Sequence, residues 1–379
     1  MRVNYLKRYV FGALITVLVI LASATAVEKI FGREAALEYV YGSWWFVALW
    51  GILGITSIAY MLGQALYHRR AACLLHGAFV IILLGAFVTF LTAERGYIHL
   101  RQGETLNTYL LEDDITELSL PFDIKLVLFD IAYHPGTDEP ADFISFLKVD
   151  GEMCKVSMNK IHSRHGYRFY QMSYDPDEMG STLMVNHDPW GIGITYTGYA
   201  LLALAMFWLL WQRIKWRGLL YTAIPTVALW YYISQMNPMT PVLRSPMLAA
   251  HVSVIMVSYG LLIFIAVTAA IALCSRRLRE SFYRLNSKLL YPALFLLAAG
   301  IFIGAVWANI SWGRYWGWDA KETWALITML VYALPMHKGS LALFRNPVGF
   351  HRYCLIACLT VAMTFLGVTY LLGGMHSYV

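Results

Sequence analysis

Five of the 13 tryptophans in this 379-residue chain fall between positions 307 and 324: Trp307, Trp312, Trp316, Trp318 and Trp324. Among them stand Gly313, Arg314, Tyr315, Gly317, Asp319, Lys321, Glu322 and Thr323. Tryptophan is common where a membrane meets water, which accounts for one or two such residues but not for a compact Trp316-Gly-Trp-Asp set. The physical alternative is a platform for a flat aromatic ligand. Indole faces and edges pack against a macrocycle, the glycines let the backbone approach closely, and Arg314 and Lys321 suit carboxylates on the ligand. Glu322 and Thr323 are placed to begin a helix. Haem has this mix of properties: a flat apolar face, two propionates and an iron that takes axial ligands.

Paired neutral imidazoles are good axial ligands, and the chain has 11 histidines. His68, His99, His134, His162, His165, His187 and His351 read as solvated side chains in loops or in a polar domain. Four others lie at the ends of apolar runs: His76 in Cys73-Leu-Leu-His-Gly, His337 in Ala333-Leu-Pro-Met-His, His251 in Leu248-Ala-Ala-His-Val and His376 in Gly373-Gly-Met-His-Ser-Tyr. Ionisable groups at membrane depth are expensive and usually functional.

The elements that position these residues are membrane helices. The chain is 59% hydrophobic and only 14% charged, with a mean hydropathy of +0.56, whereas a soluble protein carries about a quarter charged residues. Apolar runs near 9–27, 43–63, 73–92, 191–211, 219–235, 247–273, 289–308, 323–337 and 353–372 predict a polytopic, all-α bundle of about nine spans, the eighth short for a crossing. The first run reads as an uncleaved anchor rather than a signal peptide, although Ala22-Ser-Ala24-Thr-Ala26 offers small residues for cleavage. With the N-terminus inside, the inner segments hold 16 basic residues and one acid, Glu280, while the outer ones hold 13 basic residues and 22 acids. That bias sets the orientation. It places the tryptophan-rich loop, His251, His376 and the C-terminus outside, and His76 and His337 inside.

Between spans three and four, residues 93–190 alternate apolar and polar side chains in Phe122–Ile131, Phe143–Val149 and Tyr167–Tyr174, separated by His134-Pro-Gly, Asp150-Gly and Asp175-Pro. This predicts a small β-rich extracytoplasmic domain. Its 17 acids against 8 basic residues make it acidic. The expected division is therefore 1–92, membrane helices; 93–190, the β-rich domain; and 191–379, a second membrane domain with the loop 307–324. The five cysteines form no C-x-x-C pair, which leaves no zinc or thioredoxin-like signature, and no C-x-x-C-H, so the chain is not itself a c-type cytochrome. Cys354 and Cys358 share one helix face and read as small packing residues.

The run Trp312-Gly-Arg-Tyr-Trp-Gly-Trp-Asp-Ala-Lys-Glu-Thr-Trp324 resembles the tryptophan-rich signature of the system II cytochrome c synthases, the CcsA/ResC proteins. His251 in His-Val-Ser-Val-Ile-Met-Val-Ser-Tyr and His376 in Gly-Met-His-Ser-Tyr match that family's two outer histidines, and His337 its inner one. The likeness covers about 219–379. The first half looks like a shortened CcsB/ResB partner fused ahead of it, with His76 as the partner's membrane histidine. Its outer domain is much smaller than usual, so a separate ResB-like chain is a candidate partner.

The resemblance implies a holocytochrome-c synthase of a bacterial cytoplasmic membrane. Haem b as bound substrate would meet His76 and His337, cross, and dock under His251 and His376 against Trp307, Trp312, Arg314, Tyr315, Lys321 and Trp324. The reaction would centre on Trp316, Trp318 and Asp319. Implied partners are apocytochrome c, through its C-x-x-C-H motif, and thiol-reducing thioredoxin-like proteins. Two other readings stay open: a haem exporter without lyase activity, and a b-type dihaem electron-transfer subunit.

Overall fold

The structure is a computed structural model that describes residues 2–236 and 245–372. Its helices are α1 (Arg2–Phe31), α2 (Arg33–Ala36), α3 (Trp44–Gly63), α4 (Arg70–Thr92), α5 (Gly191–Ser234), α6 (Pro246–Cys274), α7 (Arg276–Trp312), α8 (Ala320–Ala333) and α9 (Pro347–Ala362); the last continues in a wider π-helical winding over Met363–Leu372. Lipid offers backbone amides no partners, so apolar runs of this kind wind into helices that satisfy them internally. Among the described residues, seven stretches are long and apolar enough to cross a membrane: Tyr5–Phe31, Trp44–Gly63, Arg70–Thr92, Gly191–Ile214, Pro246–Cys274, Arg276–Trp312 and Pro347–Leu372. The chain is a polytopic membrane protein.

Two of the nine expected runs differ. The run 219–235 has no helix of its own but is the second part of α5, which carries Pro225 inside it. The Arg213 guanidinium lies 5.3 Å from the Tyr291 ring, while the Trp230 indole donates to the Pro246 carbonyl. The run 323–337 is α8 plus one 3₁₀ turn, Leu334–His337. At 1.5 Å per residue, 14 helical residues reach about 21 Å, short of a full crossing.

Residues 94–187 form one antiparallel sheet of eight strands, in the order β5-β4-β3-β2-β1-β8-β7-β6. The strands are β1 (Glu94–Arg101), β2 (Thr105–Leu111), β3 (Glu117–Tyr133), β4 (Pro140–Val149), β5 (Glu152–Ser157), β6 (His162–Arg164), β7 (Tyr167–Tyr174) and β8 (Gly180–His187). Alternating residues fill one side: Ile98, Leu100, Ile124, Leu126, Leu147, Val156, Phe169, Leu183 and Val185 are all buried. The sheet curls until its ends approach. Ser157, the last residue of β5, bridges Lys160 in the short link that joins the two edge strands β5 and β6, and Ser145 of β4 bonds Gln171 of β7 at 2.7 Å and Ser181 of β8 at 2.8 Å across the interior. Asp150-Gly151 makes the tight β4–β5 turn, with both residues at positive φ. Cys154 is a free cysteine whose burial pushes its thiol up to about 11, so it stays protonated near neutrality.

The sheet sits between the end of α4 and the start of α5, which pack side by side. The antiparallel pair α6 and α7 is tied by Ser258 Oγ on the Ala293 carbonyl, 2.8 Å, and Thr268 Oγ1 on Asn286 Oδ1, 2.9 Å. Leu262, Ile265, Leu297, Tyr332, Phe350 and Cys354 complete that core. Helix α1 adds Val17, Leu21 and Ala24 to a second core that includes Ile327 of α8. Two histidines expected to be solvated are not. His351 is fully buried because α9 begins before it, at Pro347, and its Nε2 donates to the Arg279 carbonyl at 3.1 Å. His134 is buried where its chain turns back from β3 to β4.

Candidate functional site

The tryptophan-rich loop hangs from the end of α7. Gly313 closes that helix at φ +73°, and a side chain there would lie 2.9 Å from the Tyr170 ring and 3.2 Å from the Met184 sulfur. Conformation and space both require glycine. The sheet holds the same point: Asn186 donates its amide to the Gly313 carbonyl, and Ser311 donates to Asn159 Oδ1 at 2.5 Å.

Beyond Gly313, Tyr315 is buried, and its hydroxyl donates to Thr89 Oγ1 at 3.0 Å while accepting from Thr195 at 3.5 Å. Thr89 in turn donates to Asp188 Oδ2 at 2.8 Å, and Asp188 Oδ1 accepts the amide of Gly191 at the start of α5, also 2.8 Å. The loop is thus bonded to both helices that flank the sheet. Changing Tyr315 to Phe removes the middle of this chain, and a buried hydrogen bond contributes about 1 kcal/mol net. The expected result is a thermal midpoint lowered by a few degrees; an unchanged midpoint would show that the hydroxyl contributes nothing.

The far half of the loop is fixed by a capping box. Asp319 caps α8 by accepting from the Lys321 amide at 2.8 Å, while Glu322 Oε2 accepts the amides of Gly317, 2.8 Å, and Asp319, 3.3 Å. Arg33 donates to the Gly317 carbonyl at 2.7 Å. Trp318 takes a positive φ of 55°, uncommon for such a bulky side chain. Tyr41 stacks on its ring at 4.9 Å and 7°, while Phe46 meets it edge-on at 5.1 Å and Trp316 at 5.7 Å.

The residues singled out from sequence therefore fall into distinct positions. Asp319 serves as a helix cap and Trp318 sits in an aromatic box built by the first helices. Trp324 donates to Thr25 of α1 at 3.1 Å. Trp307 is buried against Trp312, with ring centroids 5.0 Å apart. Trp312, Trp316, Trp318 and Trp324 each keep part of their surface open. Lys321 points at Thr369, with Nζ 3.3 Å from its hydroxyl, and burial lowers its pKa. Arg314 is also lowered, first by burial and then by the neighbouring Arg33 and Arg95.

His251 lies on α6 against α7, its Nδ1 2.7 Å from the Gly300 carbonyl. A carbonyl only accepts, so Nδ1 carries the proton and Nε2 keeps its lone pair. A side chain at Gly304 would come within 2.5 Å of this ring. Gly304 stands two turns before Trp312 on α7, so His251 and the loop share one end of the bundle. His376 lies outside the described residues. His76 of α4 and His337 after α8 meet at the other end. Their ring centroids are 5.9 Å apart at 85°, and each Nδ1 bonds the carbonyl four residues before it, Ala72 at 2.8 Å and Ala333 at 3.0 Å. Phe11 of α1 packs edge-on against His337 at 5.8 Å.

Sequence reasoning missed Arg33, Tyr41, Thr89, Asn186 and Gly304. A charge pair at the end of α1, Glu28 and Arg33, was a visible signal; the others carried none, because each acts on a partner far along the chain.

Residues 190–376 match the cytochrome c assembly protein family, and residues 60–201 match the ResB-like family. Over 162 residues, 39% of this chain and 18% of the relative, it is 37% identical to protein NrfI of Wolinella succinogenes. Over 179 residues, 42% of this chain and 48% of the relative, it is 35% identical to cytochrome c biogenesis protein CcsA of Chlamydomonas reinhardtii. The CcsA of Synechococcus sp. strain CC9311 is 35% identical over 205 residues, 42% of this chain and 66% of the relative. The chain thus spans less than two thirds of NrfI and of the algal CcsA, and about two thirds of the cyanobacterial one. A ResB-like segment here runs directly into an assembly domain, and the chain belongs to the cytochrome c assembly family as a fused, CcsBA-like member.

Proposed function

We propose that the chain carries haem to the outer face of a bacterial cytoplasmic membrane and attaches it to apocytochrome c. The N-terminus lies inside and the tryptophan-rich loop outside. His76 and His337 form the entry station. His251, with His376, holds the iron at the exit station beside the loop, where Trp312, Arg314, Trp316 and Trp318 are half-buried. Haem is the substrate throughout.

What supports this reading is that the His76–His337 pair and His251 lie at opposite ends of one bundle. His76 lies 16 residues before Thr92, the sheet end of α4, which is about 24 Å at 1.5 Å per residue. In His76, His337 and His251 alike Nδ1 is held by a carbonyl, which fixes the tautomer and direction of each ring. A fixed electron-transfer pair of haems needs no rigid aromatic loop outside the bundle, so the synthase reading is favoured over that alternative.

The chemistry asked of the site is modest. A substrate thiol adds across a haem vinyl group: its sulfur bonds to one vinyl carbon, its proton goes to the other, and no oxidant or reductant is consumed. Asp319 and Glu322 are engaged in the cap, so catalysis here is positioning of thiol against vinyl. The function is tested by mixing purified, haem-loaded protein with a reduced peptide containing C-x-x-C-H and detecting the thioether product. Wild type should form it, and His251→Ala should form at least tenfold less. A haem exporter would release haem to the peptide with no covalent product from either.

A further inference from the structure

The sheet as a whole is acidic, with 17 acids and 8 basic residues across 93–190. The row that faces the tryptophan-rich loop is the exception. Arg95 of β1 pairs with Asn186 of β8, and Asn186 pairs on its other side with Arg168 of β7. Cross-strand partners project to the same face, so Arg95, Asn186 and Arg168 form a row across three strands. The direction of that face is fixed by Asn186, whose amide reaches the Gly313 carbonyl. One step along the same face, Tyr170 and Met184, themselves paired, touch Gly313. Arg314 follows Gly313 directly.

The nearby acids are largely committed. Glu322 accepts two loop amides, Asp319 caps α8, and Glu28 lies 3.6 Å from Arg33. Arg33 itself is spent on the Gly317 carbonyl. Glu112 is exposed on the β2–β3 turn. The Nε of Arg95, by contrast, is buried without a hydrogen-bond partner among the described residues. A buried guanidinium donor without a partner is costly unless an anion arrives to meet it.

We propose that Arg95, Arg168 and Arg314 form a clamp, on the sheet side of the loop, for the carboxylates of the ligand docked there. The inference rests on the reading that the loop docks haem, and it assigns the two propionates to this row. Lys321, the other cation expected from sequence, points instead at Thr369. The ResB-like sheet thereby contributes directly to binding the cargo of the assembly domain. Planar guanidinium groups bind carboxylates through paired N–H bonds, which would fix the rotation of the macrocycle and so which vinyl edge faces the substrate. The same oxyanion chemistry would take a lipid phosphate, so the test separates the two.

The measurement is thioether formation by the full chain in nanodiscs of zwitterionic lipid, supplied with haem or with haem dimethyl ester. Wild type should transfer haem at least tenfold faster than the ester. In an Arg95→Gln, Arg168→Gln double variant, haem transfer should fall to the ester's rate while ester transfer stays unchanged, and Arg95→Lys with Arg168→Lys should restore part of the preference. A general structural defect would instead slow both substrates alike and overturn the assignment. Equal transfer of the two by wild type would overturn it too, as would loss of the haem preference when anionic lipid is added, which would give the row to phosphate headgroups. If wild type transfers neither substrate, the haem-docking reading itself falls.

Discussion

On the proposed function, replacing His76 and His337 together with alanine is expected to lower the haem content of the purified protein at least tenfold relative to wild type, and thioether formation in cells should fall with it. The two rings approach to 5.9 Å. With metal–nitrogen bonds near 2.0–2.1 Å, two imidazoles on opposite sides of one ion have centroids about 6 Å apart, a spacing this pair already has. Their Nδ1 atoms are held by the Ala72 and Ala333 carbonyls of their own helical turns. Each ring is therefore oriented before any metal arrives, and the tautomer is set. Either single variant should keep part of the haem through the remaining imidazole. His68→Ala, an exposed histidine a few residues before α4, should change nothing. Haem content equal to wild type in the double variant would remove the entry station from the route. Preserved thioether formation at normal rate, with haem lost, would show that haem reaches the exit station another way.

The same pair shows what a sequence carries and what it does not. That His76 and His337 sit at one depth follows from their distances to the ends of apolar runs, and a charge count then assigns that depth to one surface. That they touch depends on α4, α8 and α1 packing around them, with Phe11 against His337, which no local pattern encodes. The sheet was legible for a similar reason: strands with one buried face must alternate, and Asp150-Gly151 can hardly be anything but a turn. Its curl was not, because Ser145, Gln171 and Ser181 bond across strands distant in sequence. The loop was legible as a unit, and Asp319 with Glu322 has the spacing of a cap. But the stacking of Trp318 on Tyr41, a residue 277 positions earlier, has no local signal. His351 reads as a loop residue because the apolar run begins near 353, six residues after α9 itself does. Composition places tryptophans at an interface; only tertiary contacts assign each ring its neighbours, such as Tyr41 for Trp318 and Thr25 for Trp324.

Gly304→Ala is expected to lower thioether formation by about 10- to 100-fold, the scale on which an ångström of misplacement acts in an oriented reaction. The added methyl would lie 2.5 Å from Nδ1 and 2.6 Å from Cε1 of His251, closer than such contacts exist, so the ring must move. It cannot move without loosening its 2.7 Å bond to the Gly300 carbonyl, which sets both its tautomer and its direction. Alanine is the better helix former by about 1 kcal/mol, so any loss of activity runs against the intrinsic effect of the substitution on α7. Gly260→Ala on α6, where an added methyl meets nothing within 4 Å, supplies the matched control and should be silent. The defect should appear as an altered axial-ligand spectrum of bound haem at the exit station, with the haem held by His76 and His337 unchanged. If Gly304→Ala supports normal transfer with an unaltered spectrum, His251 does not ligate iron in the position seen here. If the spectrum changes while transfer stays normal, His251 is a resting ligand that the substrate's own histidine displaces before the carbon–sulfur bonds form, and its placement does not limit the rate.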